Sequence, residues 1–476
     1  MQNCRMCGGG YDIRVNEKEF YKKMGVNEPV VCSQCMMQQR LAFRNEFNYY
    51  KRDCDLCHKS TISIYSEDKP YKVYCSACWW SDDYDPLEYG VDYDFDKPFF
   101  DQVFELSKRV PKLAIQNSRS ENSEYTNFSS ENKNCYVVVG GLGCEDCYYS
   151  YRIFYCKDVV DCFDLYKSEQ CYECTQSRGL YNCHFCELCE NSSDTYLSNN
   201  CRGCKNCFGC VNLEHKEFCI FNEQYSKEDY FKKIEELKGD FLQSRKKIES
   251  LKSSLQERSA YIINCENCTG DQLFNCKNCY ECYVLKNSEE CGHVVFGEKD
   301  QYCYSCNFSD NCELQYNSSN LEKNYNVICG NLVWYSKNSY YCSLCFNSGD
   351  LLGCNGMKKH QYCILNKQYS KDEYEELSTK IIESMKEVGQ WGEFYPAQHS
   401  PFGYNETAAM DFFPLSKKEA LERGFNWSDF AESRSTKEFK IIPQEREFYE
   451  KHELPLPTLH PEERHRNRLK RARLFF

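Results

Sequence analysis

No stretch of the 476 residues is apolar for long enough to cross a membrane, and the opening Met-Gln-Asn-Cys-Arg-Met-Cys lacks the apolar segment of a secretory signal. Without either feature, the chain is expected in the cytoplasm, where thiols stay reduced. In that compartment a Cys-x-x-Cys pair indicates a metal site rather than a disulfide.

Leucine, isoleucine and valine are thinly spread. Apolar residues make up 41% of the chain, but 37 cysteines and 38 tyrosines supply an unusual share of them. A chain of this length needs several cores. Because aliphatic residues are sparse, other interactions must help to stabilise the fold, and metal–thiolate bonds or disulfides can do so.

Acidic residues outnumber basic ones in the chain, 72 to 59. The net charge of −13 excludes a body that lies on nucleic acid, since the phosphates would be repelled. The exception is the C-terminal end, which predicts either a nucleic-acid contact or a solvated helix end. Its six basic residues are Arg464, Arg466, Arg468, Lys470, Arg471 and Arg473.

The first 78 residues predict two structural zinc ribbons. Each ribbon has two Cys-x-x-Cys pairs, and four thiolates complete a tetrahedral zinc shell. The first set is separated by 24 residues, which requires a loop or a short helix around Glu17–Lys23, and the second by 17 residues, which is standard spacing. The predicted ligands are Cys4, Cys7, Cys32 and Cys35, followed by Cys54, Cys57, Cys75 and Cys78.

The other 29 cysteines lie between Cys135 and Cys363, in a stretch that is built twice. Shifted by 144 residues, Cys147 falls on Cys291 and Cys219 on Cys363. A fixed period of this kind indicates a repeat architecture. Cysteines recur nine residues apart, between short apolar bursts and polar turns, which predicts a duplicated β-solenoid with small inward side chains. Two nine-residue steps would give about eighteen residues per coil.

The inward cysteines have two competing interpretations. A reduced thiol is small and apolar enough to stack in a narrow core. Alternatively, dense clusters recruit further zinc or, less naturally, iron–sulfur clusters, although no C-x2-C-x2-C-x3-C-P run is present. The cysteines of those clusters are Cys183, Cys186, Cys189, Cys201, Cys204, Cys207, Cys210, Cys276, Cys279 and Cys282.

Each copy is followed by a helical segment that begins at a capping serine, Ser226 or Ser370, with an acid three residues later. Apolar residues recur there at steps of three and four. We expect these helices, over 227–257 and 371–388, to pack on the flank of the solenoid. A dimer through them is the alternative.

The C-terminal segment repeats part of the first ribbon at a constant offset of 428. Glu17, Phe20 and Tyr21 match Glu445, Phe448 and Tyr449, and Arg40-Leu41 matches Arg468-Leu469. Under that offset the first four cysteines become Glu432, Ser435, His460 and Glu463. We therefore predict a degenerate ribbon-like module without bound metal.

The chain is therefore expected to have six parts. These are 1–53, a zinc ribbon with a helix; 54–115, a second ribbon with an acidic and aromatic connector; 116–258, solenoid copy 1 with a long helix; 259–390, copy 2 with a helix; 391–430, a loop-rich cap; and 431–476, the metal-free module with its basic tail.

Several motifs carry a resemblance to a known family. They are Glu19–Lys22, Arg40–Asn45, Phe208–Cys210, Tyr362–Tyr369, and the stretch from Gly392 to Asn405. Through them the chain resembles cysteine-rich zinc-ribbon proteins that are frequent in candidate-phylum bacteria with reduced genomes and in giant viruses. Some of those carry a CaiB/BaiF transferase label that nothing in this sequence supports. The resemblance implies zinc binding and an intracellular setting, and brings no activity. The missing C-terminal thiolates depart from the family pattern.

Taken together, these patterns predict a mainly β protein with helical appendages. The favoured function is a zinc-binding, non-catalytic scaffold or adaptor that contacts nucleic acid or a ribonucleoprotein through its ribbons and basic tail. Binding is favoured because solenoids offer long lateral surfaces and ribbons are common recognition modules. The alternatives are a metal- or thiol-dependent redox or iron–sulfur protein, and metal storage.

Overall fold

The computed structural model describes residues 1–255, 260–434, 438–472 and 474. Strands account for 30% of the residues and helices for 27%. The protein is therefore strand-rich, as predicted, but the helices contribute almost as much as the strands. Among the described residues, no helix combines the length and the apolar character that a bilayer crossing requires.

The first 114 residues contain short strands and helices. They are β1 (Gln2–Asn3), β2 (Gly10–Tyr11), α1 (Val15–Met24), α2 (Ser33–Leu41), β3 (Tyr50–Asp53), β4 (Ser60–Ser63), β5 (Val73–Tyr74), α3 (Ser76–Trp80), a 3-10 turn (Pro86–Tyr89), α4 (Phe99–Arg109) and β6 (Lys112–Leu113).

The first cysteine-rich copy follows, and we call its strands array 1. They are β7 (Asn117–Ser118), β8 (Thr126–Asn127), β9 (Ser129–Ser130), β10 (Val138–Val139), β11 (Glu145–Tyr148), β12 (Tyr151–Phe154), β13 (Lys157–Val160), β14 (Phe163–Tyr166), β15 (Glu169–Tyr172), β16 (Thr175–Arg178), β17 (Tyr181–His184), β18 (Ser193–Tyr196), β19 (Lys205–Phe208), β20 (Glu217–Ile220) and β21 (Glu223–Gln224). Two helices end this part, α5 (Lys227–Gly239) and α6 (Phe241–Ser254).

The second copy supplies array 2. Its strands are β22 (Ile262–Ile263), β23 (Gly270–Phe274), β24 (Cys282–Lys286), β25 (Val295–Glu298), β26 (Gln301–Tyr304), β27 (Asn307–Asp310), β28 (Glu313–Tyr316), β29 (Ser319–Glu322), β30 (Tyr325–Ile328), β31 (Asn331–Trp334), β32 (Lys337–Tyr340), β33 (Ser343–Phe346), β34 (Gly349–Leu352), β35 (Gln361–Ile364) and β36 (Lys367–Gln368).

The remaining elements are helical. They are α7 (Lys371–Glu387), two 3-10 turns (Ala397–His399 and Tyr404–Glu406), α8 (Ala408–Phe412), α9 (Lys417–Glu422), α10 (Asp429–Arg434), α11 (Pro443–Lys451) and α12 (Pro461–Arg471).

The chain divides into two compact units, and both are discontinuous in sequence. Unit 1 contains Met1–Ala114 and Ala260–Arg434, so it joins the N-terminal segments to array 2. Unit 2 contains Ile115–Ser259 and Ser435–Ala472, so it joins array 1 to the C-terminal segment. Each array is therefore completed by a segment that is distant in sequence.

Within each array, most strands pair in parallel with a period of twelve residues. Cys171 lies beside Cys183, and Cys207 beside Cys219. The exceptions are the antiparallel pairs β20–β21 and β35–β36 and the eleven-residue step from β22 to β23. In array 1 the strands fall in an eight-stranded sheet (β11-β13-β15-β17-β18-β19-β20-β21), a five-stranded sheet (β16-β14-β12-β10-β8) and the pair β7-β9. In array 2 they fall in eight-stranded (β22-β23-β24-β25-β27-β29-β31-β33) and seven-stranded (β26-β28-β30-β32-β34-β35-β36) sheets. The predicted repeat of about eighteen residues is therefore wrong, and twelve replaces it.

Nearly every third residue of the arrays has a left-handed backbone, as Asp146 (φ 53°), Tyr149 (φ 51°) and Arg152 (φ 55°) illustrate. The residue after each of these points inward, and Cys147, Ser150 and Ile153 are fully buried. The chain thus turns every three residues and buries four side chains in each twelve. The frequent Asn, Asp and Gly at the left-handed positions suit this backbone, because they tolerate it best.

The nine-residue cysteine spacing comes from the same geometry. The Cys135 thiol points at the carbonyls of Lys133 and Cys144, two residues back and nine ahead. Nine residues are three of the four three-residue steps in a twelve-residue repeat. The carbonyl nine residues ahead therefore belongs to the next repeat, where it lies close to the thiol.

The helical segments pack as the flank interpretation expected. Tyr230 of α5 and Ile248 of α6 are buried against Leu197, Phe208 and Ile220 of unit 2. The predicted single helix is broken at Asp240, whose side chain accepts a hydrogen bond from the Gln243 amide and caps α6. The dimer alternative stays a prediction.

The acidic and aromatic connector packs on array 2. The Trp79 and Phe346 ring centroids are 5.6 Å apart, and those of Phe99 and Tyr341 are 5.2 Å apart. Tyr84 also lies edge-on to Tyr74 of the second ribbon, with 5.8 Å between centroids, so the connector contacts both the array and the ribbon.

Candidate metal centres

The first four predicted ligands converge at one point, which we call centre 1. Cys4 and Cys7 lie in the turn between β1 and β2, and Cys32 and Cys35 lie at the start of α2. Their Sγ atoms all lie within 4.8 Å of one another. Cys32 is the N-cap of the helix, so its sulfur sits where the helix dipole favours negative charge.

Centre 2 repeats this arrangement with the second four cysteines. Cys54 and Cys57 lie in the turn between β3 and β4, and Cys75 is the N-cap of α3, with Cys78 one turn later. Their Sγ atoms also lie within 4.8 Å of one another. The wider sequence spacing at centre 1 is absorbed by α1, which lies between its two pairs.

Backbone amides point at the sulfurs in both centres. The Cys32 amide donates to Cys4 Sγ, and the Cys75 amide donates to Cys54 Sγ, each at 3.3 Å. Such hydrogen bonds stabilise a thiolate. Each centre therefore supplies part of the electrostatic support that a metal-bound sulfur needs.

Two thiols are shifted towards the thiolate form. Hydrogen bonding with Cys35 is the largest cause that lowers the pKa of Cys32, to about 5. Burial raises the pKa of Cys54, but hydrogen bonds from backbone amides, among them that of Cys75, outweigh it and lower the pKa to about 6. Thiolates are the form that binds metal, so the donor set fits a thiophilic ion.

The turn of each centre has a residue with left-handed backbone. It is Gly8 (φ 74°) in centre 1 and His58 (φ 59°) in centre 2, and the amide of each donates to the carbonyl of the first cysteine at 2.9 Å. The His58 imidazole is exposed and stands outside the four-sulfur group. Four cysteines already complete the ligand set, so His58 is a sequence neighbour of Cys57 and not a ligand. No sequence pattern indicated the role of its backbone.

The ten further candidate ligands do not converge in the same way. In the part of the chain that the structure describes, centres 1 and 2 are the groups of three or more potential ligands within 4.8 Å. All ten array thiols are buried, and they point at backbone carbonyls, as Cys186 does at His184 (3.5 Å) and Thr195 (3.3 Å). Their geometry is that of a packed ladder of thiols.

The basic C-terminal residues are mostly engaged inside unit 2. Arg464 and Arg468 are buried and form ion pairs with Asp161, and Arg471 pairs with Glu173 at 2.5 Å. Arg466 is partly exposed and Lys470 is exposed, while Arg473 lies outside the described residues. Arg464, Arg468 and Arg471 thus face carboxylates of the same chain, which corrects their expected placement on an open basic surface.

The degenerate module keeps its helices. The offset of 428 places α1 on α11 and α2 on α12, with the starts of both pairs in register. His460 is the N-cap of α12, and its side chain accepts a hydrogen bond from the Glu462 amide, so it caps the helix. Ser435 lies outside the described residues. The prediction that this segment holds no metal remains a prediction.

Comparison with known proteins adds no identity. No protein-family model matches the chain, and no curated protein sequence is significantly similar to it.

Proposed function

We propose that the protein is a zinc-binding, non-catalytic scaffold or adaptor that works in the cytoplasm. In this proposal, centres 1 and 2 hold zinc, and the two arrays are β-solenoids whose lateral faces carry other modules. The resemblance to the cysteine-rich zinc-ribbon family is consistent with the proposal and adds no activity to it.

The observation that carries the proposal is the closed ligand set of both centres. Four cysteine sulfurs fill a tetrahedral shell, whereas catalytic zinc keeps one position for water or substrate. Zinc also suits four thiolates better than magnesium or calcium, which prefer oxygen ligands. A closed shell stabilises a fold and leaves no site for chemistry at the ion.

The array thiols support a scaffold over a redox protein. Cys174, for example, is fully buried, its sulfur lies 3.2 Å from the Cys183 carbonyl, and burial raises its pKa. A reactive thiol needs exposure and a lowered pKa. Hydrogen bonds with neighbouring thiols lower the pKa of Cys144 to about 4 and that of Cys204 to about 3, but both side chains are buried. Lack of access therefore favours packing over exchange chemistry.

A nucleic-acid contact is proposed only for the basic side chains left at the surface. Of the six predicted contacts, Arg466 and Lys470 are at least partly exposed among the described residues, and Arg466 also lies 3.7 Å from Glu462 of its own helix. Substituting both with Gln would lower RNA affinity and reduce the slope of its salt dependence by about one to two ions. An unchanged salt slope would remove nucleic acid from the proposal.

Metal counting tests the main proposal. We expect two zinc ions per chain by mass spectrometry of natively purified protein, no visible absorption, and 37 reduced thiols in a titration of the denatured, chelator-treated protein. A brown protein with iron would favour the redox alternative. Four or more zinc ions per chain would favour arrays that are held together by bound metal, or metal storage.

A further inference from the structure

The two units contain corresponding pairs of elements. An offset of 428 relates α1 and α2 of unit 1 to α11 and α12 of unit 2, and an offset of 144 relates array 2 to array 1. We call residues 1–45 the N-terminal module and residues 438–472 the C-terminal module. Each module packs on the array of its own unit, and the contacts can be compared position by position.

The apolar centre of the two contacts is the same. Tyr21 packs edge-on against Tyr316 with 5.5 Å between ring centroids. Tyr449 packs edge-on against Tyr172 with 5.3 Å between centroids. Both members of one pair map onto the other pair by the two offsets, so the modules dock in equivalent registers.

The polar contacts occupy equivalent positions but differ in charge. Lys23 lies over the Tyr302 ring, with 3.3 Å from Nζ to the centroid, whereas Lys451 forms an ion pair with Asp158. At the next position, the Ser305 hydroxyl lies 3.8 Å from the sulfur of Met36. Its counterpart is a buried ion pair between Arg464 and Asp161.

A third position keeps the arginine and changes its acceptor. Arg40 donates to the amide oxygen of Asn317 at 2.9 Å. Arg468 lies 3.2 Å from Glu173, the counterpart of Asn317, and 2.7 Å from Asp161. Both guanidinium groups are buried, as are Asn317 and Asp161, whereas the Glu173 side chain is 15% exposed.

We infer that the C-terminal module is a docking partner of array 1, and that a set of carboxylates centred on the buried Asp161 selects it over the N-terminal module. The array face is an interaction surface for a two-helix module that presents arginines in register. The set consists of Asp158, Asp161, Glu173 and Glu187 on array 1, which face Lys451, Arg464, Arg468 and Arg471.

Array 2 presents no charge at the four equivalent positions, which are Tyr302, Ser305, Asn317 and Asn331. The C-terminal module on array 2 would bury Arg464 beside a serine. The N-terminal module on array 1 would bury Asp161 beside the Met36 thioether. Arg464 would keep Glu445 of its own module (3.2 Å), and Asp161 would face Arg40 in the place of Arg468, so each exchange removes one partner of a buried charge. Loss of one partner of a buried charge is costly, so each exchange is disfavoured.

A double-substitution cycle in the full-length chain tests the selection. Arg464→Met alone removes one partner of Asp161, and Asp161→Ser alone removes one partner of Arg464. We expect each to speed amide exchange in residues 443–471 on the order of 100-fold. Because Arg464 also pairs with the buried Glu445 (3.2 Å), the reference chain and all variants carry Glu445→Gln. In that background, the two substitutions together recreate the Met36–Ser305 contact and should restore exchange to within about tenfold of the reference chain.

The mirror cycle in unit 1 uses Met36→Arg and Ser305→Asp, with metal content measured to verify that centre 1 survives. Exchange in residues 15–41 should rise with either substitution and recover with both. The inference is overturned if either double variant is no better protected than its worse single variant. If a single variant does not accumulate as soluble protein, the double variant must recover solubility, and its failure to do so counts equally against the inference.

Discussion

Units 1 and 2 hold the same pair of helices on the same kind of array by different chemistry. The N-terminal module has centre 1 at the start of α2, and it docks with Arg40 among neutral amides. The C-terminal module has a histidine cap at the start of α12 and docks through arginine–carboxylate pairs. One module has a four-cysteine group and neutral acceptors where the other has charge pairs, so the docked arrangement does not depend on one type of interaction.

The two interfaces also differ in the pKa values of their buried arginines. Burial without an adjoining carboxylate lowers the pKa of Arg40 to about 10. Arg464 is buried too, but Asp161, Glu445 and two tyrosines together outweigh the burial and raise its pKa. Unit 1 therefore tolerates a poorly compensated cation at its interface, whereas unit 2 compensates its cations with acids.

Loss of the metal is expected to have the largest effect, and only in unit 1. Cys35→Ser, or chelation, should release zinc from centre 1 and abolish amide protection in residues 15–41, because structural zinc contributes on the order of 10 kcal/mol to small folds. Residues 443–471 should keep their protection. Cys171→Ser, in the buried ladder, is the matched control and should change neither metal content nor protection. Equal loss in both modules would contradict the comparison.

Removing the shared arginine should cost more in unit 2. Arg468→Ala leaves Asp161 and Glu173 buried without that cation, for which we expect about 3–5 kcal/mol of local opening free energy. Arg40→Ala leaves two amide oxygens unsatisfied, at about 1–3 kcal/mol. Hydrogen exchange of the two modules measures both. The reverse order would show that the carboxylates are not what distinguishes the interfaces.

The two units should respond differently to alkaline pH. Burial would lower the pKa of His293, but its contacts with Glu17 (2.8 Å) and Glu281 (3.2 Å) raise it to about 9. An unfolded histidine titrates near about 6.5. The stabilisation is therefore complete below about 6.5 and is lost as the pH rises through about 9, by at most about 3 kcal/mol.

The position equivalent to His293 in unit 2 is Tyr149, so the C-terminal module should not show this dependence. Opening of residues 15–41 and 443–471, measured by hydrogen exchange between pH 6 and 10, gives the comparison. His293→Gln is the control, and it should remove the difference in slope between the modules. A slope that survives in this variant would assign the effect to another group.

The smallest effect is expected at a position where one array has a cysteine and the other has a serine. Cys174 of array 1 corresponds to Ser318 of array 2, and both point at the carbonyl two residues back, at 3.5 Å for Cys174 and 2.8 Å for Ser318. Cys174→Ser should therefore change the free energy of unfolding by less than about 1 kcal/mol and leave the metal count unchanged. A loss of metal on this substitution would place a ligand in the ladder.

Several features followed from sequence pattern because they are local or periodic. The eight ligands of centres 1 and 2 were found from Cys-x-x-Cys pairs, since the geometry of such a turn is fixed over four residues. The duplication and the parallel repeat followed from the constant offset of 144. The repeat length did not follow, because Cys135 and Cys144 differ by nine residues while the coil needs twelve.

The sequence by itself determined which cysteines form Cys-x-x-Cys pairs and which segments repeat, because those properties depend on neighbours in the chain or on a constant period. Only the tertiary structure decided which module joins which array. Arg468 and Glu173 are 295 residues apart, and no local pattern marks them as partners. The basic run at the C-terminus looked like an exposed surface because its neutralising acids lie in another segment, and folding alone brings the two charges together.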